Sequence, residues 1–522
     1  MNLIRFACKP ALALLAGAVF AQCVAAQLTQ PVKVTGGLVQ GVPSEDASIT
    51  AFKGIPYAAP PVGSLRWAAP QPVKPWEGIR TADKFGDSCM QIKQGMRLPW
   101  TDAFMTQNAI SEDCLFLNVW TPAAGASDKL PVMFWIHGGG NSEGSSAVTS
   151  YSGDNLARKG VVVVTINYRL GPLGFLAYPA LTAESEHHSS GNYGILDQIA
   201  ALQWVQQNIA AFGGDPGNVT VFGQSAGAGD TTILMASPLA QGLFTHAITE
   251  SGSGRRVTPL RHVPLAQAEQ KGEQYAAMMG AHSLAELRAL PVSDFARLIP
   301  GGSLSSLGFG PNLDNWVITS ASPAHEVPLI NGMNADDLGI GIDYGNGQVP
   351  PPTTMASYNA QMKEICGAEV DTCLKLYPAQ NDKEAGLALR TALRDRASVG
   401  VDMWSVDQAK LGPLYSYYFD HPEPWPQHPQ FGTFHTSEVP YVFDTIYAVN
   451  HPFTDEDQRI SDQMSAYWVD FAKTGDPNGM GMAHWPAFDA GSHTVMELGS
   501  RMGPMPAASS PARLAFWQNH LK

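Results

Sequence analysis

Two runs, Pro131 to Ile136 (PVMFWI) and Val161 to Asn167 (VVVVTIN), place apolar or β-branched residues side by side. They lack the alternation of a strand with one wet face, so the pattern predicts short parallel strands covered on both sides. Between Gly194 and Ala211 the sequence GILDQIAALQWVQQNIAA repeats its apolar residues at helical spacing, and Gly213-Gly214 marks its end. Asn218 to Phe222 (NVTVF) reads as another strand and runs straight into Gly-Gln-Ser-Ala-Gly. The stretches from about Arg261 to Arg297 and from Ala356 to Ala397 are helical in character. Strands alternating with helices imply an α/β chain built on a mostly parallel, doubly wound sheet.

Composition enlarges this picture without dividing it. Of 522 residues, 44 % are apolar and 15 % charged, with no repeat and no Gly/Ser-rich linker. Residues 27–522 are therefore expected to form one large domain. The 51 glycines and 39 prolines imply many tight turns and ordered loops. A net charge of −14 disfavours nucleic acid and anionic membranes as partners. Residues 1–26 read as a signal peptide: Arg5 and Lys9 are basic, Ala11 to Phe20 is apolar, and Val24-Ala25-Ala26 offers small residues before a cut. The expected destination is the periplasm or the exterior, and no later segment is long and apolar enough for a transmembrane helix. Four cysteines then remain, and chain proximity favours Cys89 with Cys114 and Cys366 with Cys373 among three pairings. A bridge closing about 25 residues contributes roughly 3 kcal/mol in the chain-entropy account. No Cys/His pair has the spacing of a zinc site.

Gly223-Gln224-Ser225-Ala226-Gly227 follows a strand and precedes small residues, the setting of a nucleophile elbow. Glycines at either end fit a turn too sharp for side chains, and the next helix would bring its positive end to Ser225. His137-Gly138-Gly139-Gly140 directly follows an apolar strand upstream. Its unobstructed N–H groups, with that of Ala226, suit an oxyanion formed from an ester carbonyl.

Longer segments carry a family resemblance. FKGIPYAAPPVGSLRW (Phe52 to Trp67), SEDCLFLNVW (Ser111 to Trp120), NYRLGPLGFL (Asn167 to Leu176), FGGDPGNVTVFGQSAGAG (Phe212 to Gly229) and YWVDFAKTGDPN (Tyr467 to Asn478) resemble, in order, the type B carboxylesterases, which include the cholinesterases. The resemblance implies an α/β-hydrolase fold, a large central sheet with helices on both faces and helical insertions over the site. It implies a large-loop disulfide from Cys89 to Cys114 and a structural salt bridge from Arg66 to Glu112. It places the catalytic histidine at His435 in FHTSEVP, with His421 and His428 as decoys and Glu438 as a structural neighbour. It places the acid in GMNADDL, where Asp337 takes the position of the family's glutamate and Leu338 that of a glycine. Asp336 is the runner-up. An aspartate is one methylene shorter and needs a closer backbone. Gly139 and Gly140 match the oxyanion glycines, with Gly138 ranked below them, and Ser251 matches a serine that hydrogen-bonds near the acid.

Departures from the family pattern mark candidate substrate contacts: Asn141 after the glycines, Gln224 before the nucleophile, and Leu260 where cholinesterases carry an acyl-pocket tryptophan. Arg255 or Arg256 would suit a carboxylate on the substrate, and Trp100 the cavity wall. The expectation is a serine esterase cleaving small-molecule esters without metal or organic cofactor. The oligomeric state is not readable from this sequence. An amidase, carbamate or thioester hydrolase would use the same residues. A non-catalytic binding protein is the remaining reading, against which Ser225, His435 and the glycine loop all speak.

Overall fold

The computed structural model describes residue 28 and residues 30–44, 48–93, 95–252, 263–296, 308–319, 327–337 and 351–522. The expected signal peptide, Arg255, Arg256, Leu260 and Leu338 lie outside the described residues. Eleven strands form one sheet. In chain order they are β1 (Val42–Pro43), β2 (Thr50–Pro56), β3 (Phe116–Thr121), β4 (Leu130–Ile136), β5 (Val162–Ile166) and β6 (Gly214–Gln224). There follow β7 (His246–Glu250), β8 (Leu329–Asn334), β9 (Leu414–Phe419), β10 (Thr494–Leu498) and β11 (Gly503–Pro506). Their order across the sheet is 11-10-9-8-7-6-4-5-3-2-1. Pairing is parallel from β10 through β5 and antiparallel at both edges.

The continuous apolar runs are explained by two cores, one on each face. Along β4, Val132, Phe134 and Ile136 join a cluster with Val162, Val164 and Ile166 of β5 and with Ile195, Ile199 and Leu202 of α1 (Tyr193–Asn208). Met133 and Trp135, pointing the other way, join Val163, Phe222 and the residues Met464, Trp468 and Phe471 of α4 (Asp455–Thr474). A side-chain period of two therefore feeds both faces, and both favour apolar or β-branched residues.

The helices begin and end on local chemistry. The helix expected over Gly194 to Ala211 runs as α1 and tightens into a 3₁₀ turn at Ile209–Phe212, and left-handed Gly213 ends it. Thr454 and Asp457 cap each other's backbone at the start of α4, and Gly475 closes its far end. The helical stretch near 261–297 resolves into Leu265–Met278, Leu284–Ala289 and a short turn at Val292–Ala296. The later one resolves into Met355–Cys366, Val370–Leu376 and the 27-residue α3 (Asp382–Gln408). Cys366 is bonded to Cys373 across the first two of these, and Cys89 to Cys114. Arg66 grips Glu112 through two nitrogens, at 2.5 and 2.9 Å, inside the latter loop. Among the described residues no helix is long and apolar enough to cross a membrane.

Candidate active site

Ser225 occupies the turn from β6 into the helix α2 (Ala226–Ala236), with φ 57° and ψ −121°. A side chain is strained there, and the strain is held by neighbours. The Ser225 N–H donates to Glu250 O of β7 (2.8 Å), and Ser225 O accepts from the Gly229 N–H (3.0 Å). The flanking glycines answer to space. A Cβ on Gly223 would lie 2.6 Å from Gly227 backbone atoms, and one on Gly227 only 2.1 Å from Ile136 O. The elbow and the end of β4 thus touch backbone to backbone, which brings the glycine loop beside Ser225.

Ser225, Asp337, His435, Gln224 and Gly138 to Gly140 line one cavity of about 440 Å³. Its remaining wall comes from the Cys89–Cys114 loop, through Gln91, Lys93, Arg97, Trp100 and Phe104, and from Glu143 and Tyr151. His435 Nδ1 lies 2.8 Å from Asp337 Oδ1. The other oxygen, Oδ2, accepts the Asn334 N–H at 2.9 Å, so the carboxylate is held at both ends. An Nδ1 facing a carboxylate carries the ring proton and leaves Nε2 as the acceptor. The Gln224 amide donates to that Nε2 at 3.3 Å. Burial, the largest influence on this imidazole, disfavours its charge. The Asp337 hydrogen bond and the charges of Asp337 and Glu438 together outweigh burial and raise its pKa above the usual histidine value.

The segments that carry Asp337 and His435 are held together through their backbones. Beyond β8, Asp336 pairs with Phe434 as an isolated parallel bridge, its N–H donating to Thr433 O at 3.0 Å. Asn334 Nδ2 donates to Phe434 O at 2.9 Å. The acid and histidine loops therefore run side by side as strands do. The Asp336 side chain turns away from the cavity, to Arg394 Nε (2.9 Å) and Nη2 (2.7 Å) on α3 and to the Thr433 N–H (3.0 Å).

Asn141, expected to face substrate, is turned inward: its φ of 55° swings the side chain into the protein, where it is 4 % exposed. There Nδ2 donates to Asp230 Oδ1 (3.1 Å) and Oδ1 accepts the Tyr168 hydroxyl (3.1 Å). Burial pushes the Asp230 carboxyl up to about 7. The Ser251 hydroxyl donates to Glu438 at 3.5 Å. Glu250 and Glu438 are buried, and among the described residues no cation is bonded to either. Trp468 Nε1 donates to Glu250 at 2.7 Å and Asn334 donates to Glu438. Burial, and for Glu438 also the charge of Glu250, lifts both above the ordinary carboxylate range. His421 is bound to Asp457 (2.8 Å) and His428 packs against Trp425, and neither lines the cavity. Trp100 does, and its indole N–H donates to His435 O at 3.2 Å. Gln91, Arg97 and Glu143 were not singled out by sequence. The bridged loop and the position after the glycines were the only signals pointing to them. No group of three or more His, Cys, Asp or Glu among the described residues is placed to hold a metal ion.

A large, mainly parallel sheet with a strained serine at a strand-to-helix turn defines an α/β-hydrolase. The chain belongs to the carboxylesterase family, whose model matches residues 29–517. It is 36 % identical over 509 residues to fumonisin B1 esterase of Sphingopyxis macrogoltabida, covering 92 % of this chain and 89 % of that one. It is 34 % identical over 529 residues to human cocaine esterase (94 % and 90 %). To para-nitrobenzyl esterase of Bacillus subtilis it is 34 % identical over 482 residues (89 % and 94 %). The protein is a hydrolase of carboxylic esters.

Proposed function

We propose that this esterase works through an acyl-enzyme formed on Ser225. Ser225 Oγ adds to the ester carbonyl while His435 Nε2 takes the hydroxyl proton. The C–O bond to the alcohol then breaks, and His435 returns that proton to the departing oxygen. Water adds to the acyl carbon in the same way, His435 again accepting and then donating, and the acid leaves with Ser225 restored. Asp337 holds the Nδ1–H tautomer and offsets the imidazolium charge. The N–H groups of Gly139, Gly140 and Ala226 receive the oxyanion. The observation that carries this reading is the 2.8 Å contact between His435 and Asp337, in the cavity that Ser225 also lines. That cavity, of about 440 Å³, suits a small-molecule ester. The relatives' names, which speak of fumonisin B1, cocaine and a nitrobenzyl ester, support the same substrate class.

The test is hydrolysis of p-nitrophenyl esters of graded acyl length by wild type and Ser225→Ala. Loss of turnover in the variant supports the acyl-enzyme route, and an unaffected variant overturns it. Export with cleavage after Ala26 is part of the same proposal, supported by two disulfides that suit an oxidising compartment. N-terminal sequencing of secreted protein would begin at Gln27. A single domain over 27–522 is supported by one sheet that takes strands from Val42 to Pro506.

A further inference from the structure

We propose that Gln91 and Arg97, on the Cys89–Cys114 loop, are positioning residues that set the direction of the oxyanion N–H groups. This rests on the role given above to Gly139 and Gly140. In a planar trans peptide the C=O and the following N–H point in opposite directions, so anchoring one aims the other. Gly138 O lies 2.8 Å from His137 Nδ1, which aims the Gly139 N–H the opposite way. Burial pushes His137 down to about 4, so this ring stays neutral and Nδ1 donates. Gly139 O accepts the N–H groups of both Ser142 and Glu143 at 3.1 Å, which aims the Gly140 N–H. The loop can turn this tightly only because Gly139 lacks a side chain: its φ is 104°, and a Cβ would lie 2.1 Å from Glu143 O.

The far end of the turn is gripped from outside. Gln91 is 3 % exposed, and its amide takes both backbone groups of Gly144. Nε2 donates to Gly144 O at 2.8 Å, and Oε1 accepts the Gly144 N–H at 2.9 Å. The same Nε2 donates to the backbone O of Cys89 at 2.9 Å, which ties the amide to the residue that anchors the bridged loop. Gly144 (φ 120°) presses on the start of the loop, where a Cβ would stand 2.3 Å from His137 Nδ1 and 2.7 Å from Gly138 O. Arg97 binds the Glu143 carboxylate. Two adjacent residues of the turn, Glu143 and Gly144, are thus held by one covalently closed loop. Donors that are fixed before the reaction need no reorganisation as charge develops, which is where their catalytic value lies.

The experiment compares wild type with Gln91→Met, Arg97→Met and Arg97→Lys, measuring kcat and KM on a p-nitrophenyl ester. The affinity of an alkyl trifluoromethyl ketone, whose serine adduct places an oxyanion among these N–H groups, and the melting temperature are measured alongside. In Gln91→Met, kcat and ketone affinity are expected to fall together, about ten- to a hundredfold, with KM little changed. Arg97→Met should show a smaller parallel fall, and Arg97→Lys, which keeps a cation for Glu143, should restore it. Folded variants with wild-type kcat and ketone affinity, or with only KM raised, would overturn the proposal and leave Gln91 and Arg97 as cavity wall. If Gln91→Met does not fold, the Arg97 pair decides alone. A wild type without activity, or an unaffected Ser225→Ala, would instead overturn the underlying acyl-enzyme reading.

Discussion

Asp336 and Phe434 pair their backbones as an isolated parallel bridge, and this contact brings an aspartate within 2.8 Å of His435. Adjacent aspartates then divide two tasks. Asp337 accepts a hydrogen bond from the imidazole N–H, and Asp336 ties the loop to Arg394. Asp337→Asn is expected to lower kcat about 10³- to 10⁴-fold, with little change in melting temperature when measured at a pH where His435 is neutral. Asp336→Asn should keep most activity and lose roughly 2 kcal/mol of stability. Steady-state kinetics beside urea unfolding separates the two, and the reverse pattern would exchange the assignments.

The pH profile of kcat/KM should carry the mark of His435. The imidazole must be neutral to accept a proton, and its pKa is raised because Asp337 and Glu438 together outweigh burial. Activity should therefore fall on acidification at a pH above the ordinary histidine value of about 6.5. In the residual activity of Asp337→Asn that limb should move down. The stability carried by the charged ring has the opposite sense: it is complete below about 6.5 and is lost as pH rises through the raised value.

Glu250 and Glu438 predict an alkaline weakness. Burial, with mutual repulsion acting on Glu438, puts the release of protons from this pair at about 8. Between the unfolded carboxyl value and that pH the folded chain holds more protons, so stability falls as pH rises. A melting-temperature series from about pH 5 to about pH 9 should decline, and Glu438→Gln should flatten it. An identical slope in the variant would remove the pair as its source.

Gly227→Ala would force a methyl group to within 2.1 Å of Ile136 O and 2.8 Å of His137 O, both backbone atoms. Either the elbow or the end of β4 must move. A loss of about 3 kcal/mol or more is expected in urea, together with loss of turnover. Full stability in this variant would contradict the packing described.

Much of this arrangement was legible along the chain because its signals are local. The strands β4 and β5 announced themselves by continuous apolar or β-branched runs, β6 by the shorter NVTVF, and the elbow by glycines that later met backbone atoms. The roles of Asp336 and Asp337 were not legible, because they are the same residue type side by side. The difference between them is made by Phe434 and Arg394, 98 and 58 positions away from Asp336. Asn141 misled for a related reason. It stood out as a departure from the family pattern after the glycines, but a positive φ turns it toward Asp230. The antiparallel edges carry short strands, β1 with two residues and β11 with four, too brief to show a period.

Neither Cys89 nor Cys114 belongs to the eleven-stranded sheet. A host with a reducing cytoplasm is therefore expected to deliver chain whose sheet is formed but whose 89–114 loop lacks its covalent closure. Yield measured by absorbance or by a band on a gel would count such molecules as product. Burst titration of Ser225 with a fluorescent phosphonate counts only competent ones, and the ratio of the two numbers is the measure by which expression hosts and refolding buffers should be ranked.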